Sequence, residues 1–321
     1  MLSWIAKKAQ KFRIRTIAAV LATFSLPALA ADLPEWAYPA LPKLIPPDAV
    51  VQKQMPGSTK KYTQAQIDDD FNVPDWYPGE HPPMPRVVAN GSPPAVRACA
   101  KCHLTSGDGH PESSSIAGLP VAYFIQQLAE FKNGNRGNPR AGSMIPIAKA
   151  VSDEDARAAA EYFASMKPTK WIRVVEADTV SKSFVGQGAM RFAEPDGGTE
   201  PIGDRIVELP EDRERAESRD PHSGFVVYVP VGSIARGKTL VTSTAGNKTV
   251  ACATCHGPLL KGINALPGIA GRAPQYVYRQ LNDFKVGRRK GPAAEPMKAV
   301  VANLTEDDMV AISAYLASLN Q

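Results

Sequence analysis

The chain has 321 residues, with 37 basic against 32 acidic side chains, 29 prolines and only four cysteines. Five of the basic residues (Lys7, Lys8, Lys11, Arg13 and Arg15) fall in the first thirty, where no acidic residue occurs, so the rest of the chain carries 32 of each sign. That balance excludes a polycation built for nucleic acid, and the length suggests two domains.

Residues 1–30 join this basic start to an apolar run from Ile17 to Leu29 and an Ala28-Leu29-Ala30 cleavage pattern. The pattern is that of a secretory signal peptide, cut after Ala30, with an apolar core too short to span a bilayer. No later stretch is long and apolar enough to cross a membrane, so no transmembrane segment is expected after cleavage. Export implies a bacterial periplasm or an equivalent space.

Residues 31–86 hold eleven prolines. So much proline forbids a long helix or a central strand. The stretch reads as an extended arm, with Trp36, Trp76 and Tyr77 as anchors onto the domains.

Residues 87–167 and 233–321 are two copies of one domain. A shift of 153 overlays Cys99, Cys102 and His103 on Cys252, Cys255 and His256, and Gly118 on Gly271. The same shift overlays Tyr123 on Tyr276, Gln127-Leu128 on Gln280-Leu281, Phe131-Lys132 on Phe284-Lys285, Arg136 on Arg289 and Met144 on Met297. Each copy predicts a helix near 120–132 or 274–285, opening at a proline. A last helix starts at Ser152 or Thr305, each followed three residues later by Asp as an N-cap pattern. Between the copies, residues 168–232 read as a solvated, irregular connector with one strand-like stretch, Phe225 to Val229.

Cys-x-x-Cys-His is the attachment pattern of a c-type haem. Two thiols three residues apart share one helical turn and can each join a haem vinyl group, and the histidine that follows meets the iron. A zinc knuckle, a redox dithiol and a disulfide are the alternatives. The two motifs use all four cysteines, lie 153 residues apart and each bring their own histidine, so a shared tetrahedral zinc site fits them poorly. Two covalently bound haem c groups are expected, on Cys99 and Cys102 and on Cys252 and Cys255, with His103 and His256 on the irons. Met144 and Met297, each 41 residues beyond its histidine and the only methionine pair related by the repeat, are the expected opposite ligands. A Met–His pair raises the potential and fills the iron, which is the profile of an electron carrier without catalytic residues. His81, His110 and His222 lie in Pro- or Gly-rich loops and read as surface residues, although His110 follows the first motif closely enough to compete for iron.

The sequence resembles the class I cytochromes c, most closely the two-haem cytochrome c4 kind. The resemblance rests on Cys252 to Gly257, Pro267-Gly-Ile-Ala-Gly271, Tyr276, Gln280-Leu281, Phe284-Lys285, Met297 and the tail from Leu304 to Leu319. It implies an all-α protein of tandem class I cytochrome c domains, flanked by the arm and the irregular connector. In that family a proline carbonyl holds the proximal imidazole; by position this is Pro267 for His256, whereas Ser114 stands there for His103. The resemblance also implies a respiratory role, with redox proteins as partners: a dehydrogenase or quinol-oxidising complex as donor and an acceptor such as a terminal oxidase. The competing readings are a dihaem cytochrome c peroxidase, whose two halves should be ligated differently, and a haem subunit docked to a dehydrogenase.

Overall fold

The protein is described from a computed structural model, which covers residues 33–40 and 50–321. The expected leader, residues 1–30, lies outside the described residues.

The first repeat opens on a single helical turn, α1 (Arg86–Ala89). Pro82, Pro83 and Pro85 lack the N–H groups that would extend it backwards. Helix α2 (Ala100–His103) carries the first motif, followed by α3 (Val121–Lys132). A 3-10 turn over Pro139–Ser143 leads into α4 (Met144–Ala150), and α5 (Asp153–Ser165) closes the domain. Ser152 caps α5 by accepting the Asp155 N–H at 3.0 Å, which satisfies one of the free donors of the first turn. Val87 and Val88 of α1 are fully buried in a core that includes Ala159, Tyr162 and Phe163 of α5.

Residues 168–232 overturn the all-α expectation. Three strands form a sheet in the order β1 (Ile172–Glu176), β3 (Phe225–Val229), β2 (Val207–Pro210). The outer pairings are parallel, Ile172 against Phe225, and antiparallel, Val207 against Tyr228. Two further hairpins pair Thr179–Ser181 with Thr199–Pro201 and Ser183–Val185 with Arg191–Ala193. The fold is therefore mixed: two helical repeats flank a folded β insert. Val227 and Ile206 are fully buried, so the connector is also neither irregular nor mainly solvated. The β-branched runs 172–175 and 225–229 suit strands, but β1 and β3 are far apart in the chain, and no local pattern announces their pairing.

The second repeat holds α6 (Ser233–Thr242), α7 (Ala253–His256) with the second motif, and the short hairpin of β4 (Gly262–Ile263) and β5 (Leu266–Pro267). Helices α8 (Pro274–Lys285), α9 (Glu295–Val301) and α10 (Glu306–Ser318) follow. Gly237 lets α6 cross α10 at backbone contact, since a Cβ there would run into the Ala311 carbonyl. The two copies share one lock between loop and last helix. Gly118 N–H donates to Phe163 O at 2.9 Å and Gly271 N–H to Leu316 O at 2.7 Å, with both glycines at positive φ, where glycine is favoured.

The arm is pinned where its aromatics fall. Trp36 packs on Tyr278 at 4.6 Å between ring centroids, and Trp76, 1% exposed, donates its indole N–H to Ser218 O at 2.8 Å. Tyr77 stacks on His222 at 4.1 Å. Among the described residues no helix is long and apolar enough to cross a membrane.

Candidate haem centres

Each motif sits on one helical turn that ends in its histidine. The next residue leaves the helix at positive φ: Leu104 in the first domain and Gly257 in the second. This abrupt turn frees the imidazole to face back into its own domain. His103 Nδ1 lies 2.8 Å from Ser114 O, and His256 Nδ1 lies 2.8 Å from Pro267 O. A carbonyl only accepts, so Nδ1 carries the proton in both rings and Nε2 is left with its lone pair for a metal. Burial holds both imidazoles below the usual histidine range, which keeps them neutral. The first copy lacks the proline yet makes the same bond, because any residue has the carbonyl.

The four cysteines are unpaired. Burial pushes the Cys99 thiol up to about 12 and Cys252 up to about 11. A redox dithiol needs a lowered thiol pKa, and these sulfurs are neutral, weakly hydrated groups.

A cavity of about 760 Å³ opens in the first domain. Cys99, Cys102 and His103 stand in one part of its wall, Met144 in another, and Ile116, Leu119, Phe124 and Leu128 in the apolar lining. This donor set and apolar wall fit a covalently attached haem. Met144 is the first residue of α4. Met297 is half-buried at the third residue of α9, after a turn over Pro292–Ala294. Each methionine thus stands in the first turn of a short helix.

His110 differs from the surface expectation. It is 7% exposed, lines the same cavity and accepts the Glu112 N–H on Nδ1 at 3.3 Å. Burial drives its pKa down to about 3, so the ring is neutral. His81 is also covered, 3.1 Å from Asp75, whereas His222 pairs with Glu80 at 2.7 Å in the open.

The repeat-related polar residues meet at a pseudo-twofold contact between the domains. Gly137 N–H donates to Arg288 O and Lys290 N–H to Asn135 O, which are the same two positions exchanged between copies. Arg136 reaches Gln280 and Arg289 reaches Gln127, both at 2.8 Å. Each guanidinium also lies over its own domain's ring, Arg136 on Phe131 at 4.3 Å and Arg289 on Phe284 at 4.4 Å. A self-complementary patch is what a twofold interface requires. Sequence reading aligned these residues without assigning them a role. The available signal was the polar identity kept through the duplication, Gln127 with Gln280 on the helices and Arg136 with Arg289 just beyond them.

A second contact has no counterpart under the 153-residue shift. Glu112 forms ion pairs with Arg140 at 2.9 Å and with Arg279 of α8 at 3.1 Å, and these side chains are 4, 16 and 3% exposed. Arg279 also donates to Pro111 O at 2.7 Å and to Ala37 O at 2.9 Å. Arg272 donates to Ser115 O, beside the carbonyl that holds His103. The second domain thus grips the proximal loop of the first.

A family model described as "Cytochrome c" matches residues 234–320. The "Thiosulfate dehydrogenase electron acceptor" of Stutzerimonas stutzeri is 27% identical over 235 residues, 72% of this chain and 83% of that protein. Cytochrome c4 of Azotobacter vinelandii is 26% identical over 232 residues, 69% of this chain and 84% of that protein. Cytochrome c-554(548) of Halomonas halodenitrificans is 30% identical over 73 residues, 22% of this chain and 88% of that protein.

Proposed function

The chain belongs to the cytochrome c family in a two-haem, cytochrome c4-like form, and from that premise we propose that it is a periplasmic carrier of single electrons. Its donor is a dehydrogenase and its acceptor a downstream redox protein such as a terminal oxidase. The relatives named as electron acceptors of a thiosulfate dehydrogenase support a dehydrogenase as donor. The basic, apolar leader supports export.

In this reading Cys99 and Cys102 hold one haem c and Cys252 and Cys255 the other. His103 and Met144 ligate the first iron, His256 and Met297 the second. When bound, each haem supplies an iron that cycles between two oxidation states. The chain's own part is to keep both ligands in place. The Ser114 and Pro267 carbonyls fix the imidazoles, and the short helices α4 and α9 carry the thioethers. A thioether favours the reduced iron and raises the potential.

The observation that carries the proposal is the matching proximal side of the two halves, with one imidazole bonded to one carbonyl at 2.8 Å in each. A peroxidase needs one half able to open. The test is therefore uptake of carbon monoxide and turnover of peroxide by the fully reduced and half-reduced holoprotein. Neither reaction is expected at neutral pH. Rapid peroxide turnover in the half-reduced state would replace the carrier with an enzyme and direct attention to His110.

A further inference from the structure

The segments that carry the two proximal carbonyls are built alike. In the first domain Ile116 and Ala117 N–H both donate to Gly107 O, at 2.7 and 3.0 Å. In the second, Ile269 and Ala270 N–H donate to Leu260 O at 2.8 and 3.1 Å, and the 153-residue shift overlays all three positions. These bonds fix the chain two residues after the carbonyl that faces each histidine, Ser114 O for His103 and Pro267 O for His256.

The carbonyls in between, Ser115 O and Gly268 O, are again a repeat-related pair. Among the described residues no backbone N–H reaches either of them. Both accept from one side chain instead. Arg272 donates through Nε to Gly268 O at 3.0 Å and through Nη1 to Ser115 O, across the domain boundary. Arg272 is 7% exposed and Ser115 3%.

A guanidinium suits this task, because its donors sit on different edges of a rigid plane and can serve two fixed acceptors at once. A charged donor also makes the stronger bond. The repeat equivalent of Arg272 is Leu119, buried and apolar, so the first domain returns no such bond. One residue therefore tethers both loops.

We propose that Arg272 is a positioning residue for both haem centres, holding Ser114 O on His103 and Pro267 O on His256 and thereby setting the potentials of both irons. It acts through the residue next to each carbonyl, not on the imidazoles directly. A carbonyl held against Nδ1–H makes the imidazole a more basic ligand, which favours iron(III) and lowers the potential. A slackened loop should raise it. The inference rests on the reading of His103 and His256 as iron ligands.

The test compares Arg272→Met with the wild-type holoprotein by redox titration and by proton NMR of the oxidised form, in which the iron shifts the proximal Nδ1 protons. Both Nδ1 protons should exchange with deuterium about tenfold faster, as fits the loss of one charged hydrogen bond at each loop, and both potentials should rise. Arg279→Met is the comparison. Its bonds go to Pro111 O, Ala37 O and Glu112, so it should act on the His103 proton alone, whereas a general loss of stability would move both protons in both variants. Arg272→Lys serves if the methionine variant does not fold. Its nitrogen falls one bond short of Nη1, so the first loop should be released and the His103 proton should exchange faster. A His103 proton at the wild-type rate in either Arg272 variant, a change confined to one haem in Arg272→Met, or equal effects of Arg279→Met on both protons would overturn the shared role. If the wild type shows no iron-shifted imidazole proton, the ligand reading fails and the role of Arg272 with it. If it shows both and neither responds, only the role of Arg272 fails.

Discussion

Replacing Arg279 by Met tests whether the second domain holds the proximal loop of the first. Arg279 is nearly shielded from water, pairs with Glu112 at 3.1 Å and donates to two backbone carbonyls. Removing one partner of a buried ion pair costs about 3–5 kcal/mol, because a charge is left without compensation. Arg140 stays with Glu112 at 2.9 Å, which favours the lower end, while the orphaned Pro111 and Ala37 carbonyls add to the loss. At roughly 2–4 °C per kcal/mol for a chain of this size, about 3 kcal/mol corresponds to a fall of about 6–12 °C in melting temperature. The assay is thermal unfolding of the haem-loaded protein, followed by far-ultraviolet dichroism and by the Soret band. Arg279→Lys should rescue little, since one ammonium cannot serve three acceptors placed for a planar fork. Adding Glu112→Gln to Arg279→Met should cost less than the sum of the two single changes, as expected for groups in contact. A fall below about 2 °C in Arg279→Met, or strict additivity in the double variant, would refute this account of the grip.

Met297→Leu should remove about half of the weak long-wavelength sulfur-to-iron band and lower the potential of one haem; unchanged spectra and potential would remove Met297 from the iron. Burial pushes Glu208 up to about 8, with its carboxylate accepting the Gln275 N–H at 2.9 Å. A carboxyl whose folded pKa is raised binds its proton more tightly in the folded chain, so its contribution is present at low pH and is lost as pH rises from the usual carboxylate range to about 8. Denaturant titrations should show Glu208→Gln flattening that decline and exceeding the wild type in stability at pH 8; parallel pH curves would contradict it. Gly237→Ala should cost about 1–3 kcal/mol by forcing α6 off α10, seen as a lower melting temperature of the second domain, and an unchanged melt would mean that the crossing adjusts freely.

Whatever depends on neighbouring residues was legible in the sequence. The Cys-x-x-Cys-His turns are five residues long, so their chemistry needs no tertiary knowledge. Ser152 and Thr305 announced the starts of the last helices because a cap acts over three residues. The duplication was legible because it is a property of order alone.

Other features depend on distance in space, and only the tertiary structure decided them. The all-α expectation failed at residues 172–229, where short strands become strands by pairing across long separations. His110 looked like a loop histidine and is buried, with Gly188, remote in sequence, beside its ring. Arg136 and Arg289 were visible as a matched pair, but their role at the interface needed the twofold arrangement that sets each against the other domain's glutamine. The cover over the first motif is decided in the same way. Ile67 and Arg219 are remote from Lys101 in sequence and bonded to it only in the folded chain, so burial, unlike a motif, is a sum over the whole molecule.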